Sequence, residues 1–174
     1  MKRDALEELF DYTGWAWDRL AGVIDELPAT QFGAAVAGSG WPSLSACFGH
    51  VVGAYDGWMN GERALGLGSL SYPGAHALQS WAAMRGYRRH CRESFRRALA
   101  VEDSVLYEKR AMDFGEESPE LLSRADILAN LLLHERGHHG DLNTLFHQLG
   151  IRSYIIDYRF FVSRRDEFAL DKSG

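Results

Sequence analysis

Two histidines four residues apart, His134 and His138, stand in the run His134-Glu135-Arg136-Gly137-His138, inside a long apolar-periodic stretch. Four residues of α-helix return to within about 40° of the same direction, so both imidazoles project from one face a turn apart. Two imidazoles so placed can bind one divalent metal ion. Glu135 is the candidate general base, although it points about 60° away from His138 around the axis. His139 is rotated well away from the His134/His138 face. The HExxH pattern is short and equally fits two unrelated histidines on a wet helix face, so the reading turns on a third ligand.

Four other histidines are available. His76 falls at a predicted helix start, His90 in an arginine-rich surface helix, and His147 is turned away from the His134/His138 face. His50 lies in an apolar, core-facing helix beside Phe48, Val51 and Val52. A lone histidine there usually has its hydrogen bonds satisfied within the core; a ready metal pair shifts that expectation toward a third ligand. Its face carries Ala46, Gly53, Ala54 and Gly57, and glycines recur at 49, 53, 57 and 61. Each costs about 0.8–1 kcal/mol against alanine inside a helix. They either admit the backbone of a neighbouring helix or clear a pocket in front of His50. Gly137 and Gly140 flank the histidine pair, and Asn130 and Asp141 share its face.

The elements that must position these residues are helical. The spacing of Leu6, Phe10, Trp17, Leu20 and Ile24 predicts a helix over residues 4–27, ended by Pro28, with Tyr12 and Trp15 on its far side. A second helix starts at Ser43 or Ser45 and runs to about residue 66. A third covers 75–100, and residues 104–114 are weakly strand-like or irregular. The fourth begins after Ser123, where Ser123 and Asp126 resemble a capping box, and ends at Gly150. Its apolar residues spread around most of its circumference, which makes it the most buried helix. A short helix over 155–168 packs on one end. Four long helices without a strong strand pattern predict an all-α, four-helix bundle with a short extra C-terminal helix, one domain over 1–174. The connection over 67–74 could stretch about 26 Å, close to the roughly 33 Å length of the helix before it, so a crossover is nearly possible but not required.

The chain has 174 residues, 46% hydrophobic and 25% charged, the composition of an ordinary globular domain. A net charge of −5 argues against nucleic acid as a partner. No apolar run approaches the roughly 20 residues that span a bilayer, and Met1-Lys2-Arg3-Asp4 begins no secretory segment. Cys47 and Cys91 read as reduced thiols of a cytoplasmic protein.

With these residues in view, the chain resembles the DinB family over nearly its whole length. The resemblance rests on Tyr12-Thr13-Gly14-Trp15-Ala16, on the segment from Ser45 through His50 to Ala54 followed by Trp58, and on His134 to Leu142 followed by Gln148-Leu149-Gly150. It implies an up-down-down-up bundle whose divalent metal is held by His50, His134 and His138. Nickel or zinc is the usual ion, with iron or manganese as further candidates. It also implies a homodimer, and characterised relatives are thiol-dependent: they transfer bacillithiol or mycothiol, or isomerise maleylpyruvate. The family name reflects DNA-damage-inducible expression, not DNA binding. Where relatives often have glutamine, this chain has Asp141, an extra ligand or an acceptor behind one.

The leading expectation is a metal-dependent enzyme acting on a small molecule, with a low-molecular-weight thiol as co-substrate. Arg85, Arg89, Arg92 and Arg96, on one stripe of the third helix, either grip such an anionic thiol or form a solvated face. The competing class is a non-catalytic metal-binding bundle with a structural or stress-response role. A zinc protease is disfavoured, because the extended metzincin pattern needs glycine at 141 and histidine at 144 where the chain has Asp141 and Thr144.

Overall fold

The structure, a computed structural model, describes residues 1–60, 65, 80–113 and 118–164. Four long helices dominate it: α1 (Arg3–Asp25), α3 (Leu44–Asn60), α4 (Trp81–Leu99) and α6 (Arg124–Gln148). Short helices α2 (Ala29–Phe32), α5 (Asp103–Leu106) and α7 (Tyr158–Ser163) complete the helical part of the described chain. The end predicted for the second helix, the start predicted for the third, the 67–74 connection and His76 lie outside the described residues.

Three of the four long helices start at a serine cap, whereas α1 begins after Lys2 with no side-chain cap. Ser43 accepts a hydrogen bond from the Ala46 N–H (3.1 Å), which decides between the two candidate serines of α3. Ser80 does the same for α4 from the Ala83 N–H (3.2 Å). At α6 the predicted capping box is present in both directions: Ser123 Oγ accepts from the Asp126 N–H, and Asp126 accepts from the Ser123 N–H. Gly150 follows the end of α6 with φ +68°, the left-handed conformation that suits glycine.

One expectation needs correction. The chain is mostly helical but not all-α: β1 (Lys109–Met112) pairs antiparallel with β2 (Glu120–Ser123), Lys109 opposite Ser123 and Met112 opposite Glu120. Residues 104–114 divide accordingly. Leu106 is anchored in the core on the single turn of α5, and the more polar strand after it gains its ladder from Glu120–Ser123, a pairing that local pattern does not display.

The predicted α1 stripe is buried in full, and α6 packs against both α1 and α3 while α3 packs against α4. Phe10 of α1 stacks on Phe95 of α4 at 4.6 Å, and Trp17 meets Phe48 of α3 edge-on at 4.9 Å. Tyr12 and Trp15 find their cover in the C-terminal segment. The Tyr12 hydroxyl donates to the Ile156 carbonyl (2.7 Å), and Tyr158 and Phe161 of α7 pack against the two rings.

Within the core lies one concentrated polar group. The Glu135 carboxylate of α6, fully buried, accepts hydrogen bonds from Arg88 of α4 and the Tyr55 hydroxyl of α3, and His139 Nε2 stands 3.3 Å away. Burial pushes the Glu135 carboxyl up, but the Arg88 charge and the contact with His139 outweigh it and hold it well below the usual carboxylate range. The Arg88 guanidinium also lies over the faces of Trp17 (4.6 Å) and Tyr55 (4.8 Å). Three helices are thereby tied through one carboxylate.

Removing one partner of such a pair leaves a charge buried alone. Glu135→Gln is expected to cost about 3–5 kcal/mol, read as a lowered urea midpoint at unchanged slope, with partial recovery in the all-apolar pair Glu135→Met/Arg88→Met. Ser123→Ala is expected to cost about 1 kcal/mol, a fall in Tm of roughly 2–4 °C for a chain of this size. The hydrogen bonds from Ser123, side chain then backbone, hold the Asp126 carboxyl below its ordinary value. Its contribution is therefore fully present above the unfolded carboxylate pKa of about 3.9 and disappears as pH falls through the lower folded value. The stability gap between wild type and Ser123→Ala should narrow over that acid window in parallel urea titrations.

Candidate metal centre

α6 presents two i,i+4 pairs offset by one residue. Glu135 and His139 turn inward to the polar group just described; His134 and His138, about 100° away from them around the axis, turn outward. α3 supplies the third imidazole. His50 Nε2 lies 3.0 Å from His134 Nε2, and the ring centroids of His50, His134 and His138 are 4.4 to 5.0 Å apart pairwise. One nitrogen from each of the three falls within 4.8 Å of the others. Ligands held about 2.0–2.1 Å from a common ion stand roughly 2.9 to 3.4 Å apart for right-angle to tetrahedral arrangements. The 3.0 Å separation fits two ligands of one divalent ion.

His50 corrects one expectation. Phe48, Val51 and Val52 are indeed buried, but His50 itself is exposed, while His134 and His138 are half-buried. The group sits at the surface of the α3–α6 contact and opens to solvent. Among the described residues, Gly57, Gly137 and Gly140 face open space rather than another helix. A Cβ at Gly57, Gly137 or Gly140 would meet nothing within 4 Å, and at Gly49 only the end of the Met84 side chain at 3.6 Å.

His138 is braced from behind. Its Nδ1 lies 2.8 Å from Asp141 Oδ2, and the same oxygen accepts a hydrogen bond from Trp41 Nε1 at 2.9 Å. Burial pushes the Asp141 carboxyl up, but the Trp41 and His138 hydrogen bonds prevail and keep it below its ordinary value, hence ionised. An ionised carboxylate only accepts, so Nδ1 carries the proton and Nε2 is left with its lone pair for a metal. The Trp41 indole also packs against His50 (5.0 Å) and, edge-on, His138 (5.2 Å). Burial and then the charge of His138 lower the His50 pKa; burial, His138 and His50 lower that of His134. Both are thus neutral at neutral pH, the form that binds metal.

Cys47, one turn before His50, forms a second donor group with His138 and Asp141. Its buried Sγ lies 4.0 Å from the His138 carbonyl, and burial, then the Asp141 charge, push the thiol up to about 12. A neutral thiol is a poor ligand, so the three imidazoles are the better set.

The remaining sequence candidates scatter. His90 and His147 are exposed on their own helices, and Asn130 is exposed too. Glu135 holds Arg88 and Tyr55 in the core. Trp41 is the functional neighbour that sequence reasoning passed over; its only signal was an aromatic residue before Pro42 at the end of a Gly/Ala-rich connection.

A mostly helical protein with a solvent-facing three-histidine group defines a class of helical proteins able to hold a divalent ion. The sequence model of the DinB family matches residues 1–167, nearly the whole chain, and the chain belongs to that family. No curated protein and no solved structure matches.

Removing the brace on His138 should loosen the centre without unfolding the chain. Asp141→Ala is expected to weaken metal binding about 10- to 100-fold, measured by competition with a chromophoric chelator, with circular dichroism unchanged.

Proposed function

We propose that the protein is a metal-dependent enzyme acting on a small molecule, with His50, His134 and His138 as ligands of one divalent ion, nickel or zinc first. The observation that carries this reading is the convergence of the three imidazoles on an exposed face, one of them braced by Asp141. Three protein ligands leave a coordination position open, as catalytic sites do and closed structural sites do not. When bound, the ion supplies a Lewis acid that lowers the pKa of a coordinated thiol or water.

The residues present divide the remaining work. His50 lies at the exposed edge, where a substrate arrives, and Trp41 forms an apolar wall beside it. Asp141 keeps the Nδ1 proton on His138 and so holds Nε2 toward the centre. No step is assigned to Glu135, whose carboxylate is already engaged by Arg88 and Tyr55. Thiol S-transfer is the reaction class favoured by family membership, with transfer, isomerisation and hydrolysis of small molecules as its relatives. We further read the four long helices as an up-down-down-up bundle. α6 lies between α1 and α3, so the successive long helices α1 and α3 are not the neighbours that a simple up-and-down order would make them. A cytoplasmic homodimer is part of the same proposal; no helix among the described residues is long and apolar enough to cross a membrane.

Mass spectrometry of untagged protein tests the centre. Wild type is expected to carry about one divalent ion per chain, and His50→Ala to carry less than a tenth of that. Loaded protein is then screened for consumption of low-molecular-weight thiols against electrophiles. Metal in both proteins would remove His50 from the site, and metal without turnover would leave the non-catalytic bundle.

A further inference from the structure

A second feature lies between α1 and α4. A groove of about 660 Å³ runs there, and five arginines of α4 line it: Arg85, Arg88, Arg89, Arg92 and Arg96. Its opposite wall includes Gly14 and Trp17 of α1. In a chain of net charge −5, this is a local concentration of positive charge.

The arginines are not equivalent. Arg85 pairs with Asp25 at 2.6 Å, and Arg88 with Glu135 in the core. Among the described residues Arg92, half-buried, donates to neutral acceptors, the Phe10 carbonyl (2.6 Å) and the Thr13 hydroxyl (3.1 Å). Gly14 is what lets it lie there, since a Cβ at that position would collide with Arg92 Nη2. Arg89 and Arg96 are exposed and have no carboxylate partner among the described residues. Asp18 and Glu93 border the groove, yet neither comes within ion-pair distance of an arginine there.

Two further facts point to an anion as the ligand of this groove. Arg88 is 3% exposed, yet its Nε and Nη1 have no hydrogen-bond partner among the described residues. Arg88 and Arg92 together place two cations in the protein against one buried carboxylate, Glu135. Buried charge without a counter-charge is unfavourable, and an anion in the groove would supply one. Guanidinium groups suit oxyanions because their donors match phosphate and carboxylate oxygens in pairs.

We propose that the α1–α4 groove binds a small organic polyanion, a molecule bearing two or more phosphate or carboxylate groups, held by Arg89, Arg92 and Arg96 above the Arg88 floor. Arg89 and Arg96 stand two turns apart, about 10 Å, with Arg92 between them, a spacing that three flexible side chains can close on a single molecule. The stripe is too short, and too closely bordered by Asp18 and Glu93, to follow a nucleic acid backbone. This site is separate from the three histidines and does not rest on the proposed chemistry there.

Calorimetric titration with pyrophosphate, and separately with citrate, at low ionic strength tests the proposal. Three full-length proteins are compared: wild type, Arg89→Ala/Arg96→Ala and His50→Ala. At least one probe should bind wild type and His50→Ala equally, and at least tenfold more weakly the double arginine variant, whose replaced side chains are exposed and leave the core intact. Binding of pyrophosphate alone assigns phosphate as the ligand chemistry; binding of citrate alone assigns carboxylate. Absence of binding by both probes overturns the proposal. So does undiminished affinity in the arginine variant, or loss of binding in His50→Ala, which would place the anion on the metal centre.

Discussion

The contact on which the rest of the structure depends is the buried ion pair between Glu135 and Arg88. α6 is apolar around most of its circumference, and apolar packing alone specifies poorly how such a helix is rotated against its neighbours. A carboxylate that must meet an arginine of α4 and a hydroxyl of α3 removes that freedom. Once Glu135 faces inward, the 100° advance per residue carries His134 and His138 outward to the edge of α3. The geometry of the candidate centre is thus a consequence of a polar contact in which no metal ligand takes part.

The pairing also explains why an acidic residue between two metal-type histidines has a different task here from the one its pattern suggests. In a metalloprotease helix the glutamate of HExxH shares the open face with substrate. Here the residue is itself fully buried, sealed by Tyr55, Arg88 and His139. The polar support of the open face comes instead from outside the motif, through Asp141 one turn further along α6 and Trp41 at the end of the connection before α3. The bracing of a ligand histidine by a carboxylate is a general solution to fixing its tautomer.

The arginines of α4 show the same economy of position. Their single stripe in sequence resolves into distinct environments. Arg85 joins a surface ion pair, Arg88 a core carboxylate, Arg92 lies on the backbone of α1, and Arg89 and Arg96 remain in solvent. What divides them is the neighbour each one meets across the gap to α1, where Gly14 leaves room for a guanidinium and Phe10 and Trp17 offer their ring faces.

Features confined to a single helix were legible in the amino-acid sequence. The buried stripe of α1, the capping box of Ser123 and Asp126, the glycine stop at Gly150 and the shared face of His134 and His138 all follow from 3.6-residue periodicity and from the unsatisfied ends of helices. Both act over a few residues. Resemblance added His50, the one ligand that spacing could nominate but not connect. What the tertiary structure alone decided concerns relations between segments: the 3.0 Å approach of His50 to His134, the exposure of His50 despite its apolar neighbours, the reach of Trp41 to Asp141, and the pairing of β1 with β2. Periodicity sets directions within one helix and leaves free its rotation and height against the next. Those are set by side chains distant in sequence that must pack without voids and pair without leaving a buried charge alone.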